Sequence, residues 1–414
     1  MPKAKFILEP NLKSSVIAAI LTVVAAVALS GSVRGSDPGK QDRSIRPPVV
    51  PGADSGFTEW SERAKHAWDS GDFAQSARLY RQITGIRPKS PEAWGYLGAS
   101  LYQMKRFAEA REAYRQTTRL TPENGPSWAF LGICEYELHD YRHAFSDLWE
   151  GEQLGLGDDH DLQVMVRYRV ALLWITAGEF DMGIKELTWF AQRQEANADI
   201  IQAFGLASLR VPLFPQDISQ SKKDLLTKAG AAAFAENSNE IDSARQPYEA
   251  LVESYPRQPN VHLAYGRFLS KLDQDEAIEE YERELEIDPS NVQARIQAGY
   301  LNLQKGVFDK ALVYARSATN IAPKNALAHH LLGRVLLSME KADEAIPELE
   351  AATRLAPNFV DFHRTLAMAY RKSGKKELAD KEFARFKELD DRRHQELDLK
   401  AKRQQLSEAA GKPE

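Results

Sequence analysis

The sequence is poor in cysteine and carries little net charge of either sign. Its 414 residues include one cysteine, Cys134, so no intramolecular disulfide can form and a cysteine-rich structural zinc site is excluded. The formal net charge is -5 at pH 7, so no basic field marks the chain for nucleic acid, and we expect no nucleic-acid partner. A chain of this length favours several domains or a repeat array over one ordinary globular core.

The sequence also lacks the short motifs that carry enzyme and cofactor chemistry. It contains no glycine-rich phosphate-binding loop, no Gly-x-Ser-x-Gly, no His-Glu-x-x-His and no Cys-x-x-Cys-His. Adjacent carboxylates such as Asp158 and Asp159 point about 100° apart on a helix, so they do not converge on one site. We therefore expect no catalytic activity, no cofactor and no metal site.

An uncharged apolar run, residues 16–29, follows several lysines near the N-terminus. Its length suits the core of a signal peptide and is short for a bilayer span. The small-x-small pattern Ala28-Leu29-Ser30 predicts a signal peptide over residues 1–30 that is cleaved before Gly31. We therefore expect a periplasmic or secreted protein. The alternative is an uncleaved anchor over residues 14–33, which would tether the chain to a membrane.

The next segment, residues 31–56, is rich in Gly, Pro, Ser and Asp. It shows no apolar period that would indicate a helix or a strand. Its composition predicts a disordered linker that lets the folded part stand off from the N-terminus.

A 34-residue period begins after this linker. Trp60, Trp94 and Trp128 are 34 residues apart, and a fixed period of this length is the signature of a helical repeat array. Other aromatic and proline positions recur at the same spacing: Phe73, Phe107 and Tyr141; Pro88 and Pro122; and Pro289, Pro323 and Pro357.

One period, residues 91–124, predicts two antiparallel helices. Pro91 begins the first helix, because proline is favoured at the first helical position, and Pro122 ends the second. Gly98 and Ala110 are small, which lets the two helices pack closely. The remaining periodic positions form one apolar face on each helix: Trp94, Leu97, Leu101, Phe107, Tyr114 and Thr117.

This pattern of Trp, Leu-Gly, aromatic, Ala, aromatic and Pro over 34 residues closely resembles the tetratricopeptide repeat family. The resemblance covers about residues 57–393 and implies an all-α fold, a right-handed superhelical solenoid of antiparallel helix pairs. The predicted segments after the linker are an N-terminal repeat array, an irregular helix–loop junction, a C-terminal repeat array, and a polar capping helix with a tail: 57–197, 198–224, 225–393 and 394–414. The pairing of helices across the junction stays open.

Three histidines occupy the repeat position that tryptophan holds in the N-terminal array. His262, His329 and His363 correspond in this way to Trp60, Trp94 and Trp128. We therefore predict that these histidines are packing residues of first helices and not metal ligands.

The resemblance implies that the first helix of each pair lines a concave groove. One groove position of the N-terminal array is aromatic: Trp68, Tyr102 and Tyr136. Such a row suits an extended apolar or proline-rich peptide, and it also suits the faces of sugars. Groove positions of the C-terminal array are basic and would attract an acidic peptide, a chain carboxylate or an anionic glycan: Arg267, Lys271, Arg334, Arg364 and Arg371.

These features predict a non-catalytic protein–protein interaction scaffold. It would bind protein or peptide partners in its groove, in the cell envelope or outside the cell. The alternative is a glycan- or cell-wall-binding module that uses the same aromatic row. Homodimer formation stays open, because the ends and grooves of solenoids often self-associate.

Overall fold

The structure, a computed structural model, describes residues 58–238 and 241–410. These residues form nineteen α-helices and three short 3-10 helices, and no strand is found among them. The α-helices are α1 Thr58–Asp69, α2 Phe73–Ile86, α3 Pro91–Gln103, α4 Phe107–Leu120, α5 Gly125–Glu137, α6 Tyr141–Leu154, α7 His160–Thr176, α8 Phe180–Gln192, α9 Ala198–Ser208, α10 Lys223–Asn237, α11 Arg245–Ser254, α12 Val261–Leu269, α13 Gln274–Ile287, α14 Val292–Gln304, α15 Phe308–Ile321, α16 Ala326–Ser338, α17 Ala342–Leu355, α18 Val360–Lys372 and α19 Lys376–Ala410.

The predicted fold class, an all-α protein of antiparallel helix pairs, is confirmed by this order of helices. The predicted signal peptide, residues 1–30, and the predicted linker, residues 31–56, lie outside the described residues. No helix of the described part is long and apolar enough to cross a membrane.

Four of the first helices begin at a polar side chain that caps the helix. Ser90, Asn124, Asn291 and Asn325 each accept a hydrogen bond from the backbone N–H three residues further on. Such a cap satisfies one of the four free N–H groups at a helix N-terminus. At these four first helices, the polar residue before the helix therefore fixes where the helix starts.

The turn inside most pairs contains one residue in the left-handed region, and the turn between α12 and α13 is an exception. Glycine supplies it at Gly71, Gly306 and Gly374, with φ of +79°, +76° and +77°. Three other pairs use a residue with a side chain at this position, with φ of 57°, 60° and 61°: Lys105, His139 and Glu340. A left-handed residue ends the first helix and turns the chain back along it.

The two helices of a pair touch where the sequence places small residues. A Cβ atom added to Gly98 of α3 would lie 3.0 Å from the ring of Tyr114 on α4. One added to Gly333 of α16 would lie 2.4 Å from Cγ of Leu349 on α17. The recurring glycines therefore mark positions where paired helices are in direct contact.

The helices group into two compact units. The first includes residues 58–189 and 211–217, and the second includes residues 190–210 and 218–399. In the first unit, consecutive helices from α1 through α7 pack on one another. In the second unit, consecutive helices from α9 through α18 do the same.

The pairing that the sequence leaves open is resolved in the second unit. Helix α9 packs along α10, and their backbones approach most closely at two glycines. A Cβ atom on Gly205 would lie 2.0 Å from the carbonyl oxygen of Leu226, and one on Gly230 would lie 1.8 Å from that of Ile201. Helix α10 packs in turn on α11. Residues 198–208 therefore form a helix with a partner, and this partner begins only after a loop and two short 3-10 turns.

Candidate partner-binding site

The three aromatic residues predicted to line the N-terminal groove occupy equivalent places near the ends of α1, α3 and α5. Each ring is half-buried, because it packs against the aromatic residue that begins the second helix of its own pair. The ring centroids are 5.1 Å apart for Trp68 and Phe73, 5.4 Å for Tyr102 and Phe107, and 5.4 Å for Tyr136 and Tyr141.

Two of these rings also touch the following first helix. Trp68 lies 6.0 Å from Tyr96 on α3, and Tyr102 lies 6.3 Å from Phe130 on α5, both with edge-to-face geometry. Such aromatic pairs stabilise packing beyond the area they bury. The predicted row therefore also holds successive helix pairs together.

The third ring, Tyr136, is covered by residues that are distant in sequence. Phe214 lies 6.1 Å away and is 4% exposed. The guanidinium of Arg169 lies 5.3 Å from the centre of the Tyr136 ring and donates a hydrogen bond of 2.7 Å to Glu137. Burial raises the pKa of Tyr136 above its usual value. At this end, the chain itself occupies the predicted aromatic face.

In the second unit, Lys271 neutralises a buried carboxylate. Its Nζ donates to Glu236 at 2.6 Å, and the hydroxyl of Tyr248 donates to the other oxygen of Glu236 at 2.6 Å. The side chain of Glu236 is 3% exposed. A buried carboxylate needs such partners, because burial without them costs several kcal/mol. Arg267 is half-buried, and its positive charge opposes the burial that raises the pKa of Tyr248.

A chain of hydrogen bonds joins three successive first helices of the second unit. The hydroxyl of Tyr300 on α14 lies 2.9 Å from Nδ1 of His330 on α16, and Nε2 of His330 lies 3.1 Å from Oγ1 of Thr365 on α18. Thr365 donates its proton to the carbonyl oxygen of Asp361 at 2.8 Å. Nε2 of His330 therefore donates to Thr365, and Nδ1 accepts from Tyr300, so the ring is neutral.

Two arginines flank this chain of hydrogen bonds. The guanidinium of Arg334 lies 5.4 Å from the centre of the Tyr300 ring, and Arg364 is exposed, with Asp361 at 3.8 Å. Burial first, and then the positive charges of Arg334 and Arg364, lower the pKa of His330 to about 3. The two arginines thus create a positive potential on the face formed by these first helices.

The positive charge on this face is only partly balanced. Within the described residues Arg334 forms no ion pair, and its guanidinium lies over the ring of Tyr300 and forms a hydrogen bond with the Tyr300 hydroxyl. Arg371 likewise has a ring as its neighbour, Phe383 at 5.5 Å. We call the surface formed by Arg334, Arg364 and the hydrogen-bonded residues Tyr300, His330 and Thr365 the arginine face.

Sequence reasoning selected the arginines and missed Tyr300 and Thr365. The available signal was the repeat position, because Tyr300 precedes Arg334 by 34 residues and occupies the same place in its own repeat. The described residues contain no group of three His, Cys, Asp or Glu side chains that could hold a metal ion.

Comparison with known proteins gives a family match and several structural likenesses. A family model of the tetratricopeptide repeat matches residues 61–140, 231–292 and 330–391. No curated protein matches the sequence.

The solved structures that resemble the chain include several of the protein MamA. A crystal structure of MamA is 22% identical and covers 38% of this chain and 92% of that chain, with a TM-score of 0.35. MamA 41-end from Desulfovibrio magneticus RS-1 is 19% identical and covers 40% of this chain and 94% of that chain, with a TM-score of 0.37. MamA AMB-1 is 27% identical in one crystal form and covers 36% of this chain and 89% of that chain, with a TM-score of 0.33.

The three matched regions coincide with helix pairs of both units. The 34-residue period, the small residues between paired helices and this match agree with one another. The matched regions of the chain are therefore tetratricopeptide repeats.

Proposed function

We propose that this chain is a non-catalytic scaffold for protein partners, and that its arginine face receives an acidic segment of a partner. The tetratricopeptide repeats support the role of a protein–protein interaction scaffold. The acidic partner is suggested by the charges on the face itself.

The observation that carries this proposal is the arrangement of Arg334 and Arg364 around a neutral His330. Arg334 lies over the Tyr300 ring, so its guanidinium is partly ordered before a ligand arrives and loses less freedom on binding. Guanidinium groups bind carboxylates through charge-assisted hydrogen bonds, and often through two at once. An acidic side chain or a chain carboxylate therefore matches this face.

The neighbouring residues limit what else the face attracts. The hydrogen-bonding groups of His330 and Thr365 are occupied by each other and by Tyr300 and Asp361. The two arginines are therefore the groups that remain to select a ligand, and their selection is for negative charge.

The test uses a fluorescein-labelled peptide of alternating Glu and Ser, and a second peptide in which Lys replaces Glu. Anisotropy measures binding of each peptide to the natural chain and to the double variant Arg334→Gln/Arg364→Gln. We expect the acidic peptide alone to bind, and we expect its affinity to fall about tenfold or more in the double variant, since each lost charge-assisted bond is worth about 1.5–3 kcal/mol.

The matched control is Lys89→Gln/Arg119→Gln, which removes the same charge from exposed sites of the first unit. This control should bind the acidic peptide as the natural chain does. An equal loss of affinity in both double variants would show a general charge effect and would contradict the proposed site.

Export is part of the same proposal. The apolar run at residues 16–29 and the small-x-small pattern Ala28-Leu29-Ser30 support it. N-terminal sequencing of the protein from its native source should find Gly31 as the first residue. A chain that retains residues 1–30 in the membrane fraction would support the anchor instead, and one that retains them in the cytosol would contradict export.

A further inference from the structure

Three histidines of the second unit have both ring nitrogens in short hydrogen bonds. They are His262 on α12, His329 on α16 and His363 on α18. Nε2 lies 3.0, 2.9 and 2.8 Å from the carbonyl oxygens of Pro256, Pro323 and Pro357, respectively. Nδ1 lies 2.5, 2.7 and 2.6 Å from a carboxylate oxygen of Glu280, Glu348 and Glu382, respectively.

Each of these histidines joins two successive helix pairs. The proline follows the second helix of the preceding pair, and the glutamate lies on the second helix of the pair to which the histidine belongs. The histidine itself lies on the first helix between them. We call each such set of proline, histidine and glutamate a histidine junction.

The partners fix the protons on the ring. A carbonyl oxygen only accepts, so Nε2 carries a proton. A carboxylate oxygen also accepts. At His262 and His363, Nδ1 therefore carries a proton as well, and the ring is an imidazolium ion. Without that second proton, a nitrogen lone pair would face a carboxylate oxygen, and the contacts of 2.5 Å at His262 and 2.6 Å at His363 would become repulsive.

In the first unit, tryptophan takes the place of histidine and bonds to the proline carbonyl through an N–H group that does not titrate. Nε1 of Trp94 donates to the carbonyl oxygen of Pro88 at 2.9 Å, and Nε1 of Trp128 donates to that of Pro122 at 2.8 Å. Tryptophan donates once and does not ionise near neutral pH. The hydrogen bond to the proline carbonyl of the preceding pair thus occurs in both units. The hydrogen bond to a glutamate occurs where the residue is histidine.

Glutamate is present where histidine is present. It lies 18 or 19 residues after each of the three histidines. The residue 19 positions after Trp94 is Ala113, and the residue 19 positions after Arg295, which takes the place of histidine in the intervening repeat, is Tyr314. Asp147 lies 19 positions after Trp128, but its side chain forms a hydrogen bond with Glu135, and the Trp128 ring donates to Pro122. A carboxylate bonded to the ring of the first helix therefore accompanies histidine and not tryptophan at these positions.

The charges around His262 come from α13. Burial opposes the charged ring, but the hydrogen bonds to Glu280 and Pro256 and the charges of Glu280 and Glu284 outweigh it, so the pKa of His262 is raised. Arg283 binds the other oxygen of Glu280, and Glu284 accepts the backbone N–H groups of Asn260 and Leu263.

The charges around His363 come from α19. The hydrogen bond to Glu382 raises the pKa of His363, against burial and the charge of Arg385. Arg385 itself pairs with Glu388 at 2.9 Å. At the middle junction, Nδ1 of His329 lies 2.7 Å from the carboxyl group of Glu348 on α17.

We propose that the histidine junctions at His262 and His363 make the packing between their helix pairs depend on protons, so that mild acid tightens it and rising pH loosens it. A histidine whose pKa is raised in the folded state stabilises that state fully below its unfolded pKa of about 6.5. This stabilisation is lost as the pH rises through the folded pKa. His330 does not contribute, because its ring stays neutral down to about pH 3.

This inference is independent of the proposed partner, because the response belongs to the unit itself. Hydrogen exchange on the full chain at pH 6 and pH 8, corrected for the intrinsic rate, measures it directly. We expect protection of α12, α13, α18 and α19 to fall by about tenfold for each unit by which a histidine pKa is raised. Protection of α3 and α4, beside Trp94, should change much less.

The decisive variant, His363→Trp/Glu382→Ala, recreates the arrangement of Trp94 and Ala113. It should keep protection of α18 and α19 nearly equal at both pH values while His262 still confers its response on α12 and α13. A natural chain whose second unit is equally protected at pH 6 and pH 8 would overturn the proposal. So would a pH response of α18 and α19 that survives in this variant.

A second measurement does not depend on the folding of any variant. In the natural chain labelled with ¹⁵N-histidine, both ring nitrogens of His262 and His363 should show the chemical shifts of protonated nitrogens at pH 6. Nδ1 should lose its proton only at a pH above the usual histidine range. A neutral ring at either position at pH 6 would overturn the proposal.

Discussion

Replacing Gly230 with alanine tests the close approach of α9 and α10. A Cβ atom at this position would lie 1.8 Å from the carbonyl oxygen of Ile201 and 3.1 Å from the backbone nitrogen of Gly205. Atoms in ordinary contact are about 3.5–4.0 Å apart, so the two helices would have to separate by more than about 1 Å. Backbone atoms of a helix cannot rotate away as the end of a side chain can.

The expected cost follows from this geometry. Forcing extra atoms into a packed core costs about 1–3 kcal/mol and occasionally more. Alanine is favoured over glycine inside a helix by about 0.5–1 kcal/mol, which offsets a small part of the cost. Because the clash is with the backbone, and buried side chains along the whole interface would lose contacts, we expect Gly230→Ala to destabilise the second unit by about 3 kcal/mol.

The seven tryptophans of the chain provide the assay, because all of them lie at or before Trp189, in the first unit. Urea unfolding followed by circular dichroism reports both units, and tryptophan fluorescence reports the first. Gly230→Ala should lower the dichroism midpoint.

The matched control is Gly85→Ala on α2, where an added Cβ atom meets nothing within 4 Å. It should leave stability unchanged or raise it by about 0.5–1 kcal/mol, since it changes only helix propensity. A Gly230→Ala chain as stable as the natural one would refute the close backbone contact between α9 and α10.

Two further substitutions test local features of the two units. Lys105 is exposed and holds a φ of 57° in the turn between α3 and α4. Lys105→Gly should therefore raise the free energy of unfolding by about 1 kcal/mol, measured from urea unfolding followed by tryptophan fluorescence. A lower free energy of unfolding would contradict the left-handed turn. Lys271→Met leaves the buried Glu236 with the hydrogen bond from Tyr248 and should lower the free energy of unfolding measured by circular dichroism. The expected loss is about 1–2 kcal/mol, because the Lys271 side chain is 47% exposed and water screens the ion pair. Adding Glu236→Gln should recover part of that loss, and a double variant no better than the single one would contradict the ion pair.

The helix pairs were predictable because their signals are local and periodic. The 34-residue spacing of Trp60, Trp94 and Trp128 sets the length of a repeat, and Gly98 with Ala110 marks where paired helices touch. These features need no knowledge of contacts between distant segments. The fold class could therefore be predicted from the sequence.

The pairing of α9 with α10 could not be predicted in the same way. Gly205 and Gly230 are 25 residues apart, so they fall outside the repeat period, and a loop separates their helices. A backbone approach that depends on two glycines outside the period leaves no repeated pattern to detect.

The site residues illustrate a second limit. The repeat position of Tyr136 is a groove position by resemblance, yet Phe214 and Arg169 cover the ring. The position of Lys271 does not reveal the buried Glu236 that it neutralises. Whether a side chain is open to a partner depends on residues that pack from elsewhere in the chain, and periodicity does not contain that information.

For the histidines, the packing position was predicted correctly, but the hydrogen bond to a glutamate was not predicted. His262 and His363 are buried packing residues, 4% and 7% exposed, as their place in the tryptophan position predicts. Their link to a carboxylate follows from a residue 18 or 19 positions away. Comparing the residues 18 or 19 positions after each histidine with the residue 19 positions after Trp94 would have revealed the histidine–glutamate pair.

Photo-crosslinking from the arginine face tests the proposed function most directly. Met368, which is 37% exposed and occupies the repeat position of Arg334, is replaced by a photoreactive phenylalanine derivative in the native cell. Val313, which is 68% exposed on the second helix α15, is replaced in the control chain. We predict that position 368 crosslinks to an acid-rich segment of a specific protein, that position 313 does not, and that Arg334→Gln/Arg364→Gln abolishes the crosslink. Equal crosslinking from both positions, or a crosslink that survives the loss of both arginines, would contradict a partner bound at this face.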